Sequence, residues 1–275
     1  MSRAEESALS EQGWVVESHG RSPAVLFHVP HAGTRIPPDV RADIVLGDAE
    51  LERELRLMTD WHTDEIARKV SQSCGVASTS FINQLSRLVV DPERLPDEVE
   101  PMAAIGMGAV YLATASLGVL RHPDGERDEQ LRKQYFEPYE SAVADLVDRM
   151  LEATGTVTII DVHSYPERAL PYERDPVALR PGVCIGVDDV HTPPALVEAA
   201  HSAFGGFLGD VGVNSPYAGT YVPLRHYGRD DRVRSVMVEI RRDIYMYEST
   251  GALHAGIDDV VRRMSGFVRA CAPIT

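Results

Sequence analysis

The chain has 275 residues, of which 42 are acidic and 27 are Lys or Arg, for a formal net charge of −15 with histidine neutral. That balance excludes the basic footprint needed to neutralise phosphates, so neither nucleic acid nor a membrane surface is an expected partner. A hydrophobic fraction of 44% and a charged fraction of 25% belong to a folded chain that can bury a sizeable core, and they exclude wholesale disorder.

Residues 1–275 read as one continuous domain, since no repeat, low-complexity tract or evident linker interrupts them. The opening MSRAEESALSEQGW lacks the basic start and apolar stretch of an export signal. Cys74, Cys184 and Cys271 are too scattered for a disulfide framework, so a reducing cytoplasm is the expected compartment. The first buried strand is predicted at residues 24–29 (AVLFHV). Helical patterns follow over residues 48–58 and from Thr59 or Asp60 to Ser73, and the proline- and charge-rich stretch 91–101 must be a loop.

Residues 102–120 carry no charge and approach the ~20 residues of a membrane span. Three glycines and several hydroxyl groups dilute their hydrophobicity, which favours a buried glycine-rich loop or strand pair. A long helix is predicted over residues 127–153, kinked or divided by Pro138, whose ring removes a backbone donor and clashes with the preceding turn. Further strands fall at 157–162, 182–187 and 235–240, with helices near 194–208 and 253–270. This alternation defines an α/β fold with a sheet sandwiched by helices.

In such a sheet, ligands gather at the carboxyl ends of the strands. The first strand runs into His28-Val-Pro-His31-Ala-Gly33. His31 is the better-placed metal ligand there, and His28 is expected to be a packed, hydrogen-bonded support. Asp60-Trp-His62-Thr-Asp64 brings two acids four residues apart onto one face of a helix start, and Thr59 can cap that helix. Asp161-Val-His163-Ser164 ends an apolar strand, where alternation sends Asp161 and His163 to the same side. Such groups are costly to bury unless paired or bound to a cation, and an Asp beside a ligand His commonly orients it.

Another apolar strand emerges at Glu239-Ile-Arg241-Arg242, and Glu239 has the features of a general base. Two histidines and one carboxylate leave room for water, the usual plan of a catalytic zinc site. Zn2+ is favoured over magnesium by the imidazoles, with manganese, iron and cobalt open. Arg87, Arg94, Arg241 and Arg242 offer forks for a small anionic substrate. The loop from Asn214 through Tyr217 to Tyr221, with His226 after it, is expected to wall the pocket, and His226 or Tyr245 could assist the reaction. Ser164 lacks the GxSxG elbow of a serine nucleophile.

Taken in order, VPHAG, TDWHTDEIA, SRLVVDPER, DVHS, NSPYAGTY, HYG and VEIRRDIYM resemble the N-formylglutamate amidohydrolase (N-formylglutamate deformylase) family over most of the chain. The resemblance implies a three-layer α/β/α sandwich with a mixed, mostly parallel sheet, like that of zinc-dependent exopeptidases. It implies hydrolysis of an N-acyl amide such as N-formyl-L-glutamate to formate and L-glutamate. It also implies metal binding by His31, His163 and an acid of the DWHTD segment, Asp60 with Asp64 as the fallback, and Glu239 as base and then proton donor. Where the family carries DLNR this chain reads DPER, with Pro92 and Glu93 as the central pair, a departure that bears on substrate identity more than on amide hydrolysis. The rival expectations are a deacylase or exopeptidase for another N-acyl amino acid or peptide, and a binding protein on the same fold.

Overall fold

Successive side chains of a strand point to opposite faces, so the apolar runs must find cover on both sides of their sheet. In the computed structural model, which describes residues 13–95, 100–173, 175, 177, 179–206 and 211–271, they do. The strands are β1 (Trp14–His19), β2 (Val25–Val29), β3 (Ser78–Asn83), β4 (Val157–Tyr165), β5 (Val183–Gly186), β6 (Gly212–Val213) and β7 (Val233–Arg241). They form one seven-stranded sheet in the order β1-β3-β2-β4-β7-β5-β6. The β3-β2-β4-β7 centre and the β5-β6 pair are parallel, whereas β1 runs antiparallel to β3 and β5 antiparallel to β7. A mixed, mostly parallel sheet was the expected form.

The helices are α1 (Pro38–Asp43), α2 (Asp48–Met58), α3 (Thr63–Ser73), α4 (Gly125–Leu131), α5 (Glu137–Thr154), α6 (Pro194–Phe204) and α7 (Gly256–Cys271). A small hairpin of β8 (Met246–Tyr247) and β9 (Ala252–Leu253) precedes α7. On one face, Val25, Phe27, Val29, Ile160, Val162, Val236, Val238 and Ile240 pack with residues of α3, α6 and α7. On the other, Leu26, Val157, Ile159 and Val233 pack against α5 through Tyr139, Val143 and Val147. The strand parity has a consequence for the site. His28, Asp161, His163 and Glu239 continue the α5-facing rows, beyond the part of the sheet that α5 covers with apolar side chains.

Several boundaries differ from expectation. α3 opens at Thr63, not at Thr59 or Asp60, and Thr59 closes α2 instead of capping the next helix. The link Asp60-Trp61-His62 turns with His62 at φ 64°, a left-handed conformation uncommon for a residue with a side chain. Ahead of Pro138 the long helix is divided by a π-helical turn over Arg132–Phe136, so the proline stands in the first turn of α5, where its missing N–H costs nothing. Residues 102–120 form a largely irregular segment, starting in a 3-10 turn over Pro101–Ile105, with bridges between Met107 and Tyr111 and between Ala113 and Val119; Met107, Tyr111, Ala115 and Leu120 are buried, while Ile105, Leu117 and Val119 are exposed. No helix among the described residues is long and apolar enough to cross a membrane. β1, β3 and α1 went unrecognised in the sequence. Residues 1–12 of the opening segment, 96–99 of the proline-rich stretch and 207–208 at the end of the predicted fourth helix lie outside the described residues.

Candidate active site

His31 follows the end of β2 by two residues, and the path there is narrow. A Cβ on Gly33 would lie 2.4 Å from the carbonyl carbon of Gln84, so only glycine fits. Asn83 Nδ2 donates to the Pro30 carbonyl at 2.9 Å, and the Asp60 N–H donates to the His31 carbonyl at 3.0 Å. The β2 end and the α2–α3 link are thereby fastened together. Arg242, buried at the end of β7, completes the hold on Asp60. Its Nη2 donates to Asp60 Oδ1 at 3.3 Å, Nη1 to the Leu57 carbonyl at 3.0 Å, and Nε to Ser164 Oγ at 3.2 Å.

Three lone-pair atoms converge as a result. His31 Nδ1 and His163 Nδ1 are 3.2 Å apart, Asp60 Oδ2 lies 3.0 Å from His163 Nδ1, and it lies 3.7 Å from His31 Nδ1. All three residues are buried, and such atoms repel unless a proton or a cation lies between them. Ligands at ~2.0–2.1 Å around a tetrahedral ion are about 3.3 Å apart, which matches this triangle. The far edges of both rings face acids: His31 Nε2 is 2.9 Å from Asp91 Oδ1, and His163 Nε2 is 3.1 Å from Asp161 Oδ1. A ring that carries its proton toward a carboxylate at Nε2 keeps the Nδ1 lone pair for a metal, the familiar carboxylate–histidine–metal arrangement. The residues present therefore fit a divalent cation such as Zn2+.

Electrostatics agree with a site built to hold positive charge. Burial opposes the charged form of His31, as does Arg87, yet Asp91, Glu93 and Asp60 together raise its pKa. Burial likewise opposes charge on His163, where Glu93, Asp161 and Asp60 overcome it. Asp60 and Asp161 are held well below the usual carboxylate range by their imidazole neighbours, against the opposing effect of burial. Glu239 pairs with His163 across β4 and β7, on the same face of the sheet. Burial pushes its carboxyl up to about 8, and its Oε2 is buried without a hydrogen-bond partner among the described residues. With no cation beside it such a carboxyl keeps its proton at neutral pH; a bound cation would favour the ionised form, a strong proton acceptor.

A cavity of about 550 Å³ opens over these groups, lined also by Arg87, Arg94, Tyr172 and Tyr217. Arg87 is committed through Nε and Nη2 to Asp91 Oδ2. Arg94 Nε, by contrast, is buried with no hydrogen-bond partner among the described residues, although Asp91 Oδ2 lies 3.5 Å away. Four expectations need correction. Asp64 lies on the surface of α3, 2.6 Å from Arg68, because it is inside the helix whereas Asp60 precedes it, so the two do not share a helix face. Arg241 does not line the cavity and pairs with Asp243 at 2.7 Å, although strand alternation alone would set it on the face of Glu239; the 3-10 turn over Arg242–Ile244 begins directly after it, and Arg242 lines the cavity instead. His226 is outside the cavity, 3.1 Å from Asp148. Tyr245 is likewise occupied, donating to the Trp61 carbonyl at 2.6 Å.

His28 is buried and hydrogen-bonded on both ring nitrogens. Its Nδ1 donates to Asp161 Oδ1 at 2.8 Å while its Nε2 accepts from Tyr139 at 2.8 Å, and Tyr221 stacks on it at 4.0 Å. The roles of Asp91, Tyr139 and the Tyr221 N–H, which reaches Asp161 Oδ2 at 3.1 Å, went unseen in the sequence. The buried position of Asp91, four residues beyond Arg87, was the one available signal.

An open α/β sheet whose carboxyl edge gathers two imidazoles, a carboxylate and a free buried glutamate is the architecture of a hydrolytic enzyme. The chain belongs to the N-formylglutamate amidohydrolase family, whose model matches residues 23–246. It is 28% identical to the N-formylglutamate deformylase of Pseudomonas putida over 243 residues, 84% of each chain. It is also 28% identical to that of Pseudomonas aeruginosa, over 83% of this chain and 84% of the relative. The fold is that of a crystal structure of N-formylglutamate amidohydrolase from Ralstonia eutropha JMP134, with a TM-score of 0.75, 22% identity, and coverage of 94% of this chain and 97% of that one.

Proposed function

We propose that this chain is a metal-dependent amidohydrolase that cleaves the N-acyl amide of a small acidic amino acid, with N-formyl-L-glutamate, giving formate and L-glutamate, as the first substrate. What supports this most directly is the convergence of His31 Nδ1, His163 Nδ1 and Asp60 Oδ2 within 3.7 Å, beside a buried Glu239. A divalent ion held by these three residues, Zn2+ by the character of two imidazoles and a carboxylate, would polarise the acyl oxygen and make water a nucleophile near neutral pH. Glu239 takes the proton of the attacking water at Oε2 and returns it to the amide nitrogen as that bond breaks. Arg94, whose Nε makes no hydrogen bond among the described residues, holds a substrate carboxylate, with Arg87 beside it adding charge. Arg242 holds Asp60 in place, and Tyr217 walls the pocket.

A second reading, in which the acyl group is larger than formyl, is favoured by the cavity itself, since about 550 Å³ is in the range of drug-sized ligands. The test is formate release from N-formyl-L-glutamate by protein that is metal-supplemented, chelated, then remetallated, beside N-acetyl and longer N-acyl glutamates. Formate that vanishes on chelation and returns with metal supports the reaction. Bound metal with no formate, but release of a longer acyl group, moves the substrate and keeps the site.

A further inference from the structure

Glu93 is a carboxylate at the site that the reaction above does not use. We infer that Glu93 is a positioning residue for both ligand histidines, bracketing their outer edges and holding their Nδ1 atoms toward the metal; this rests on the ligand set proposed above.

The local chain puts it there. Asp91 Oδ1 accepts from the Glu93 N–H at 3.1 Å, a side-chain-closed turn around Pro92 that folds the glutamate back toward the end of β2. Its two oxygens then divide between the two rings. Oε1 lies 3.3 Å from His163 Nε2, and Oε2 lies 3.5 Å from His31 Nε2. Among the described residues, Oε1 is buried with no hydrogen-bond partner, and so is His163 Nε2. Two unsatisfied atoms of opposite kind, a donor and an acceptor, thus lie 3.3 Å apart without being aligned into a hydrogen bond.

The nearer acceptor of His163, Asp161 at 3.1 Å, already has a donor on each oxygen and makes no aligned hydrogen bond to His163 Nε2. Asp161 Oδ1 accepts from His28 Nδ1 at 2.8 Å, and Asp161 Oδ2 accepts from the Tyr221 N–H at 3.1 Å. His28 cannot release Asp161, since its other nitrogen accepts from Tyr139. The Nε2 proton of His163 therefore shares an occupied oxygen unless Glu93 closes in. Glu93 also joins two other groupings of acids and imidazoles, with His28 and Asp161 and with His31 and Asp91. Neither suits a second cation, because His28 Nδ1 and His31 Nε2 there carry protons directed at Asp161 and Asp91 and have no lone pair to give.

The test is titration of the metal-free full chain with Zn2+ against a chromophoric chelator, for the wild type, Glu93→Gln and Glu93→Asp, with the imidazole N–H resonances of the zinc-loaded proteins recorded. Glu93→Gln keeps the shape and removes the charge, and should weaken Zn2+ binding about 10- to 100-fold. The low-field Nε2–H resonances of His31 and His163 should move upfield, and Glu93→Asp should recover part of the affinity. Unchanged affinity and unchanged resonances overturn the inference and leave the ligand set standing. So does a stoichiometry of two Zn2+ in the wild type and one in Glu93→Gln, which would make Glu93 a ligand of a second ion. A wild type that binds no Zn2+ overturns the ligand set itself. Should Glu93→Gln lower the melting temperature of the metal-free protein, Glu93→Asp with an intact melt decides, by its affinity and its resonances.

Discussion

At the scale of single residues, the site depends on which edge of each imidazole faces a carboxylate. His31 and His163 both turn Nε2 toward acids and Nδ1 toward Asp60, so their removal should affect metal binding before chemistry. His163→Ala should lose bound zinc and turnover together, read by elemental analysis and formate release, while Asp64→Asn, which breaks only a surface pair with Arg68, should keep both. Glu239 is different, because it touches none of the three converging atoms as a ligand. Glu239→Gln should keep stoichiometric metal and lose about 10²- to 10⁴-fold in turnover, the range for a removed general base. A Gln variant that turns over at the wild-type rate would remove Glu239 from the mechanism.

At the scale of elements, strand parity separates stability from function. The rows of β2, β4 and β7 that face α3, α6 and α7 are Val, Ile and Phe at their centres, with Thr158, Ser164 and Arg234 at their ends, and the opposite rows begin apolar under α5 and carry His28, His163 and Glu239 toward their carboxyl ends. Ile160, fully buried on the apolar face, should therefore behave as core alone. Ile160→Ala should cost about 2–5 kcal/mol in urea unfolding while the folded fraction keeps its metal affinity. Much of this was legible: four apolar strands and the ends of α2 fall where the sequence places them. β3 was not, because STSFIN has no alternating apolar pattern: Phe81 and Ile82 join the cores on opposite faces, and other buried positions rest on hydroxyl pairs such as Ser71–Ser78 at 2.7 Å and Ser18–Thr79 at 3.0 Å. Those hydroxyl partners come from other elements, Ser18 from 61 residues away.

At the scale of the whole molecule, a metal that binds only the folded chain must stabilise it. Zn2+ at 100 times its dissociation constant should add about 2.7 kcal/mol, seen as a raised melting temperature that chelation reverses. The three cysteines are all free and buried. Burial pushes the Cys184 thiol up to about 11 and the Cys271 thiol up to about 12. A raised thiol pKa keeps the unreactive protonated form across the neutral range and yields thiolate only as the pH climbs toward those values. Native protein at pH 8 should thus resist alkylation of these two cysteines by iodoacetamide, and denatured protein should react promptly, with mass spectrometry as the readout.

The sequence by itself determined the α/β class, the family, and the two histidines and the glutamate at strand ends, because period-two burial and polar residues at the end of an apolar run are local signals. It preferred Asp60 over Asp64 only through the family resemblance and left Arg87, Arg94, Arg241 and Arg242 as equals. Only the tertiary structure decided between them, since the α2–α3 link bends at His62 and so separates Asp60 from Asp64, and the chain turns after β7 and so parts Arg241 from Arg242. Glu93 belongs to the same class of facts. Its significance lies in two distances to rings 62 and 70 residues away in the chain, and contacts of that kind are set by how β2, β4 and the loop after β3 pack, not by what surrounds residue 93 in the sequence.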